Sequence, residues 1–268
     1  MFDESCSKRA PVKASGLSAR SAGMNMSRSG EPARREVALD IDPVRRRLYP
    51  QEAYVVPPSA VEILLVRHGT AAPYDPSSPH ALVEGRADPA LCVEGEHQAV
   101  QLAKRLAHER IDAIYVTPLR RTVQTAAPLA ARLDIVPVVV PDLIEVQLGE
   151  WERGVIRQRV AERHPVVAEM VRAERWDVIP GAETNESLRA RVSRGLHEIY
   201  ERHVGGRVLA VVHDGVIGAA LSIATGATPF SFHGSANGSI SSLVIDGDNW
   251  RLRRFNDTAH QEVARYGS

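Results

Sequence analysis

The chain has 268 residues, 44% of them hydrophobic, and its 33 basic side chains match its 33 acidic ones. This is globular composition, and a formal net charge of zero excludes a general nucleic-acid binder, which needs a basic surface. Cys6 and Cys92 stand far apart, which excludes a disulfide framework and fits a reducing compartment, so a cytoplasmic location is expected.

Residues 1–58 are rich in Ser, Arg, Lys, Gly, Ala and Pro and lack periodic apolar positions. Such a segment buries too little surface to offset the entropy of ordering, so a poorly ordered extension is predicted. Arg45-Arg46-Arg47 within it reads as solvated charge rather than a docking patch. No stretch reads as a membrane span. The nearest, residues 208–225, is interrupted by His213 and Asp214 and reads as a strand followed by a helix. The N-terminus has no apolar core of a secretory signal.

The folded domain is predicted over residues 59–268. Val61-Glu62-Ile63-Leu64-Leu65-Val66 is a short, apolar, β-branched run, the pattern of a buried parallel strand. It stops at Arg67-His68-Gly69-Thr70. A long loop rich in Pro, Ser and Asp follows to Pro89. Residues 93–109 read as an amphipathic helix with Val100, Leu102, Ala103 and Leu106 on one side. Residues 111–116 read as a second strand, running into Thr117-Pro118-Leu119-Arg120-Arg121, which opens a helix through Arg132. Residues 136–140 form a third predicted strand. Residues 142–152 are expected to be extended and then to turn. Residues 153–182 read as a charged helical insert carrying Trp176. Residues 185–203 form another helix, broken by Gly205-Gly206. Residues 207–212 are a fourth strand, ending at His213-Asp214-Gly215 before a helix to Thr225. Two alternating runs, 240–245 and 250–255, meet at Asp246-Gly247, a hairpin signal. Strands alternating with helices predict a three-layer α/β/α sandwich, its sheet mostly parallel with one antiparallel strand.

Three of these strands end in residues suited to an anion. Ligands of open α/β sheets bind beyond the carboxyl ends of the strands. Arg67 and Arg121 offer planar donor forks for phosphate oxygens. His68 can serve as nucleophile or acid/base. Gly69 is expected to let the chain turn and a ligand approach. Two strands run straight into helices, whose first N–H groups favour anions. No cluster of acidic, histidine or cysteine residues has metal-ligand spacing, so no metal or other cofactor is expected.

The chain resembles the histidine phosphatase superfamily, also called the phosphoglycerate mutase-like family. The resemblance is carried by Arg67-His68-Gly69, Asp88-Pro89, Gly95, Gln98-Ala99, Thr117 to Ala126, Leu143-Ile144-Glu145, Gly149-Glu150-Trp151-Glu152, Gly181 to Thr184 with Arg191, Val212 to Gly215, and Asn237-Gly238. It spans nearly all of the folded part. It implies that His68 attacks phosphorus and carries the phosphoryl group. It implies that Arg67, Arg121 and an imidazolium on His213 surround the phosphate, and that Glu145 protonates the leaving oxygen. Gly69, Thr70 and Asp214 join the implied substrate-binding set. Of the adjacent Arg120 and Arg121, the family spacing to Gln124-Thr125 selects Arg121. Asp214 departs from the family, which often has glycine or asparagine there. A carboxylate beside a phosphate is unfavourable unless it points away.

His80, His97, His108, His164, His197, His203 and His233 have no matching context and read as surface residues, while His260 matches a common family ending and reads as structural. Trp151 reads equally as core or substrate contact, and Trp176 as core or pocket mouth. Glu183 and Thr184 read as a helix cap or as neighbours of the site.

The leading functional expectation is a phosphomonoester hydrolase acting on a small phosphorylated metabolite. A mutase would need further contacts to retain its phosphoryl group, and the mutase residues are missing. Residues 70–75 lack the Trp-Asn pair, and residues 149–181 contain no lysine. A protein phosphatase of the same family is a further alternative, and a non-catalytic phosphate binder would have to spare residues that are all present. A homodimer is compatible with the family resemblance.

Overall fold

The computed structural model describes residues 49–264. The predicted extension therefore lies, up to residue 48, outside the described residues. The unit that carries the domain starts at Ala53. Arg253 stacks its guanidinium over the Tyr54 ring at 3.8 Å and ties this entry segment to the domain.

The elements follow in chain order. β1 (Val61–Arg67) leads to a loop holding a two-stranded ribbon, β2 (Leu82–Val83) and β3 (Arg86–Ala87). Then come α1 (Val93–Leu106), β4 (Ala113–Val116), α2 (Arg120–Leu133) and β5 (Val138–Val139). The insert contains α3 (Val155–Ala161), α4 (Pro165–Ala173) and a single 3₁₀ turn at Trp176–Val178. α5 (Asn185–Arg202), β6 (Arg207–Val212), α6 (Asp214–Thr225), β7 (Ile240–Asp246) and β8 (Asn249–Asp257) complete the domain.

The main sheet has the order β5-β4-β6-β1-β7-β8. β5, β4, β6 and β1 are mutually parallel. β7 runs against both β1 and β8, so one strand opposes the rest. Side chains alternate between faces with the strand period of two. Ile63, Leu65, Val208, Ala210 and Val212 pack with α5 and α6. Leu64, Val66, Leu209 and Val211 pack with α1 and α2. The result is the three-layer α/β/α sandwich.

Two expectations are corrected. Val100 is 42% exposed, while Ala99, Leu102, Ala103 and Leu106 are buried. The buried set has the i, i+3, i+4, i+7 spacing, and position 100 falls off that stripe. The third strand forms only at Val138–Val139, at the edge of the sheet, where Pro137 and Pro141, which have no N–H to donate, bracket it.

Candidate active site

The sheet order explains why distant motifs converge. β4, β6 and β1 are neighbours, so Thr117, His213 and His68 emerge side by side at their carboxyl ends. The His68 N–H continues the ladder by donating to the Val212 carbonyl at 3.0 Å. The His68 and His213 rings meet edge to face with centroids 5.2 Å apart.

His68 is buried, and its Nδ1 lies 2.7 Å from the Gly69 carbonyl oxygen. A carbonyl can only accept, so Nδ1 carries the proton and Nε2 keeps its lone pair. Burial, followed by the Arg121 charge, holds the His68 pKa well below its ordinary 6.5. The Asn237 amide donates to the His68 carbonyl at 2.8 Å and fixes the backbone.

Arg121 is buried and donates to the Ala87 carbonyl at 2.8 Å, and burial brings its pKa down to about 10. Arg120 turns away. Its Nε pairs with Asp88 at 2.8 Å, and the same carboxylate accepts the Arg120 N–H at the start of α2. Arg67 donates to the Ser235 carbonyl and lies 3.5 Å from Asp214, while its Nε is buried without a protein partner.

His213 is fully buried, with Nε2 3.0 Å from the Thr117 hydroxyl and Nδ1 without a protein partner. Burial, then the charges of Arg121 and the neighbouring histidine, keep its pKa well below 6.5. Burial beside other cations therefore works against the imidazolium expected on His213.

Glu145 follows a 3₁₀ turn at Pro141–Leu143. Burial raises its pKa above the ordinary 4.5, against the opposing pull of the Val146 N–H and Arg121. Its carboxyl lies against the first turn of α6. A Cβ on Gly215 would stand 2.9 Å from Glu145 Oε1, so a larger residue there would push the carboxyl aside. Arg191 holds the segment from behind. It donates to the carbonyls of Asp142, Ile144 and Glu145 and forms a two-pronged pair with Glu183 at 2.7 and 2.8 Å. Glu183 is thus a brace for the Glu145 segment, and Thr184 caps α5 by accepting from the Ser187 N–H. The two charged side chains are only 10% and 7% exposed. Arg191→Met should lower stability by about 3–5 kcal/mol, because it strands a buried carboxylate. Thermal melting should show this, and adding Glu183→Leu should recover part of the loss.

Three expected binding residues are already engaged. The Gly69 N–H donates to the Thr125 hydroxyl at 2.9 Å. A Cβ on Gly69 would stand 2.6 Å from the Gly95 carbonyl oxygen, so its smallness serves packing against α1 rather than ligand approach. The Thr70 N–H and hydroxyl both meet Gln98 Oε1, at 2.8 and 3.2 Å. Asp214 accepts from the Gly234 and Ser235 N–H groups and the Ser235 hydroxyl, and it pairs with His233 at 2.6 Å. Burial would raise its pKa, but the His233 bond and the Arg67 charge hold it far below the carboxylate range. The carboxylate is therefore tied to a loop and does not confront an anion unpartnered.

Of the expected site residues, Arg67, His68, Thr70, Arg121, Glu145 and Asp214 line a cavity of about 430 Å³, a size suited to a small molecule, while Gly69 and His213 are not part of its wall. The insert supplies Ile156, Arg157, Met170 and Trp176 to its wall, and Trp151 lines it as well. His80, Arg86 and His233 also line it, so reading His80 and His233 as plain surface histidines is corrected. No local pattern marked them, because loops that are distant in sequence bring them in. Among the described residues, no group of three His, Cys, Asp or Glu could hold a metal ion. Among the same residues, no helix is long and apolar enough to cross a membrane.

A mostly parallel six-stranded sheet with this helix arrangement has the phosphoglycerate mutase-like fold. The native structure of a mycobacterial glucosyl-3-phosphoglycerate phosphatase superposes with a TM-score of 0.63 at 25% identity, covering 74% of this chain and all of that one. A phosphoglycerate mutase structure from Bacillus anthracis superposes with a TM-score of 0.64 at 19% identity, covering 77% of this chain and 97% of its own. The family model of the histidine phosphatase superfamily (branch 1) matches residues 63–258, and the chain belongs to that family. Among its relatives, phosphoglycerate mutase-like protein 4 of Arabidopsis thaliana is 31% identical, over 75% of this chain and 87% of its own length. Phosphoserine phosphatase 1 of Hydrogenobacter thermophilus is 30% identical, over 75% of this chain and 94% of its own.

Proposed function

We propose that this protein is a phosphomonoester hydrolase that works through a phosphohistidine on His68. The observation that carries the reading is the state of His68. It is a buried neutral imidazole whose Nδ1 proton is tied to Gly69, so that Nε2 is left free for attack. Arg67 Nε and His213 Nδ1 are buried beside it without protein partners, and buried polar atoms are normally satisfied. A phosphoryl group seated against His68 would satisfy them.

In the first step Nε2 attacks phosphorus and the phosphorus–oxygen bond to the alcohol breaks. Glu145, whose pKa burial raises, gives a proton to the leaving oxygen. Arg67, Arg121 and His213 hold the equatorial oxygens, where the charge of the transition state spreads. In the second step water attacks the phosphohistidine and Glu145 takes its proton. Inorganic phosphate leaves and His68 is restored. The phosphatases among the relatives favour hydrolysis over transfer.

The test is phosphate release from a panel of phosphorylated metabolites with EDTA present. Turnover that persists in EDTA is expected, since the site relies on guanidinium groups for charge. Activity that disappears with EDTA and returns with magnesium would overturn the reading.

A further inference from the structure

Asp214 and His233 form a unit that the phosphoryl-transfer steps leave unused. The Asp214 carboxylate, at the start of α6, accepts from the Gly234 and Ser235 backbone and from His233 Nδ1 at 2.6 Å. A carboxylate can only accept, so the proton of that bond belongs to Nδ1. Nε2 is thus the ring nitrogen with hydrogen-bonding capacity to spare. The His233 side chain is 38% exposed and lines the same cavity as His68 and Glu145. Two further aromatic rings hold it. Trp176, from the insert, stands edge to face at 5.3 Å between centroids, and Phe230 packs at 5.4 Å. Trp176 and Phe230 themselves meet at 4.9 Å. A ring fixed on three sides, with one polar atom left over, is a preorganised recognition group.

The position of this group relative to the phosphate machinery gives it meaning. His68, Arg67, Arg121 and His213 account for the phosphoryl group. The rest of the cavity must hold the alcohol portion of the ester. We infer that His233, oriented by Asp214, is a specificity-determining residue whose Nε2 bonds a polar group on that alcohol portion. The preferred substrates are then phosphate esters of alcohols that carry a further hydroxyl or carboxylate, in preference to plain alkyl or aryl phosphates. This explains the carboxylate at position 214, which departs from the glycine or asparagine expected there. Its task is to aim the imidazole, and the loop bonds keep it off the phosphate. The inference rests on the phosphatase reading.

The experiment compares the native protein with His233→Leu and His233→Gln. The probes are 3-phosphoglycerate, O-phosphoserine, glycerol 3-phosphate, propyl phosphate and p-nitrophenyl phosphate. The readout is the ratio of kcat/KM for the best polar ester to that for p-nitrophenyl phosphate. In His233→Leu this ratio should fall by about tenfold or more, the worth of one hydrogen bond to a substrate group. His233→Gln, which keeps a hydrogen-bonding head, should recover part of it. An unchanged ratio overturns the inference. So does an equal loss on every ester, which would mark a structural role, and so does a native protein that prefers propyl to polar esters. A native protein that hydrolyses no phosphoester at all would remove the phosphatase reading, a failure separate from the others.

Discussion

His68→Ala is expected to lose turnover by at least about 10⁴-fold on every phosphoester, while the protein stays folded. No other group can take over the attack. His213, the nearest imidazole, lies edge to face with His68, bonds Thr117 through Nε2, and is fully buried. Its removal in place of His68 should spare the intermediate and weaken phosphate binding instead. Folding should survive because the His68 side chain contributes one hydrogen bond, to its neighbour's carbonyl, and its backbone bonds to Val212 and Asn237 do not depend on the ring. Circular dichroism and a thermal melt check the fold, and a phosphate-release assay checks the chemistry. Near-native turnover in the variant would end the covalent mechanism.

Glu145→Gln is expected to separate leaving groups. An alkyl phosphate leaves as a strongly basic alkoxide and needs a proton in the transition state. A p-nitrophenyl phosphate leaves as a stabilised phenoxide and hardly needs one. The variant should therefore slow alkyl esters by about 10²–10⁴-fold, the usual worth of a positioned acid, and slow the p-nitrophenyl burst far less. Arg121→Ala should slow both alike, because it acts on oxygens common to both esters. The pH profile gives a second check. Glu145 must be protonated to donate, so kcat/KM falls as pH rises through its pKa, which burial places above 4.5. His68 must be unprotonated to attack, so kcat/KM falls as pH drops through its pKa, which lies below 6.5. The alkaline limb on alkyl esters should change in Glu145→Gln while the acid limb remains. Equal losses on the two substrate types would mean that another group is the acid.

Much of the fold was legible in the sequence. Ile63 to Val66 and Val208 to Val212 are short, continuous, apolar runs, the pattern of buried strands. The chemistry at their ends was legible because a parallel sheet gathers strand termini at one edge, so Arg67-His68, Thr117 and His213 were bound to meet if the strands were neighbours. The choice between Arg120 and Arg121 became physical only in three dimensions, where Asp88 draws Arg120 outward. The reason for Gly69 was misread, because its close contact with Gly95 depends on how α1 folds back. Of the cavity wall, Trp176 was read as core or pocket mouth and lines it, while His80, Arg86, Arg157 and His233 were not read as site residues. Each sits in a loop or insert with its own local pattern, and only the packing of the cavity relates them. The downward pull on the His213 pKa was likewise hidden, since it follows from burial among cations rather than from any motif.

The most direct measurement is a chemical trap of the intermediate. The native protein is mixed with excess p-nitrophenyl phosphate, quenched in alkaline detergent within the burst, digested, and sequenced by mass spectrometry. A phosphoryl group on the His68 imidazole is predicted, formed as fast as the nitrophenolate burst and lost as fast as steady-state turnover. Steady phosphate release with no protein-bound phosphoryl group, or with the group on a residue other than His68, would contradict the account.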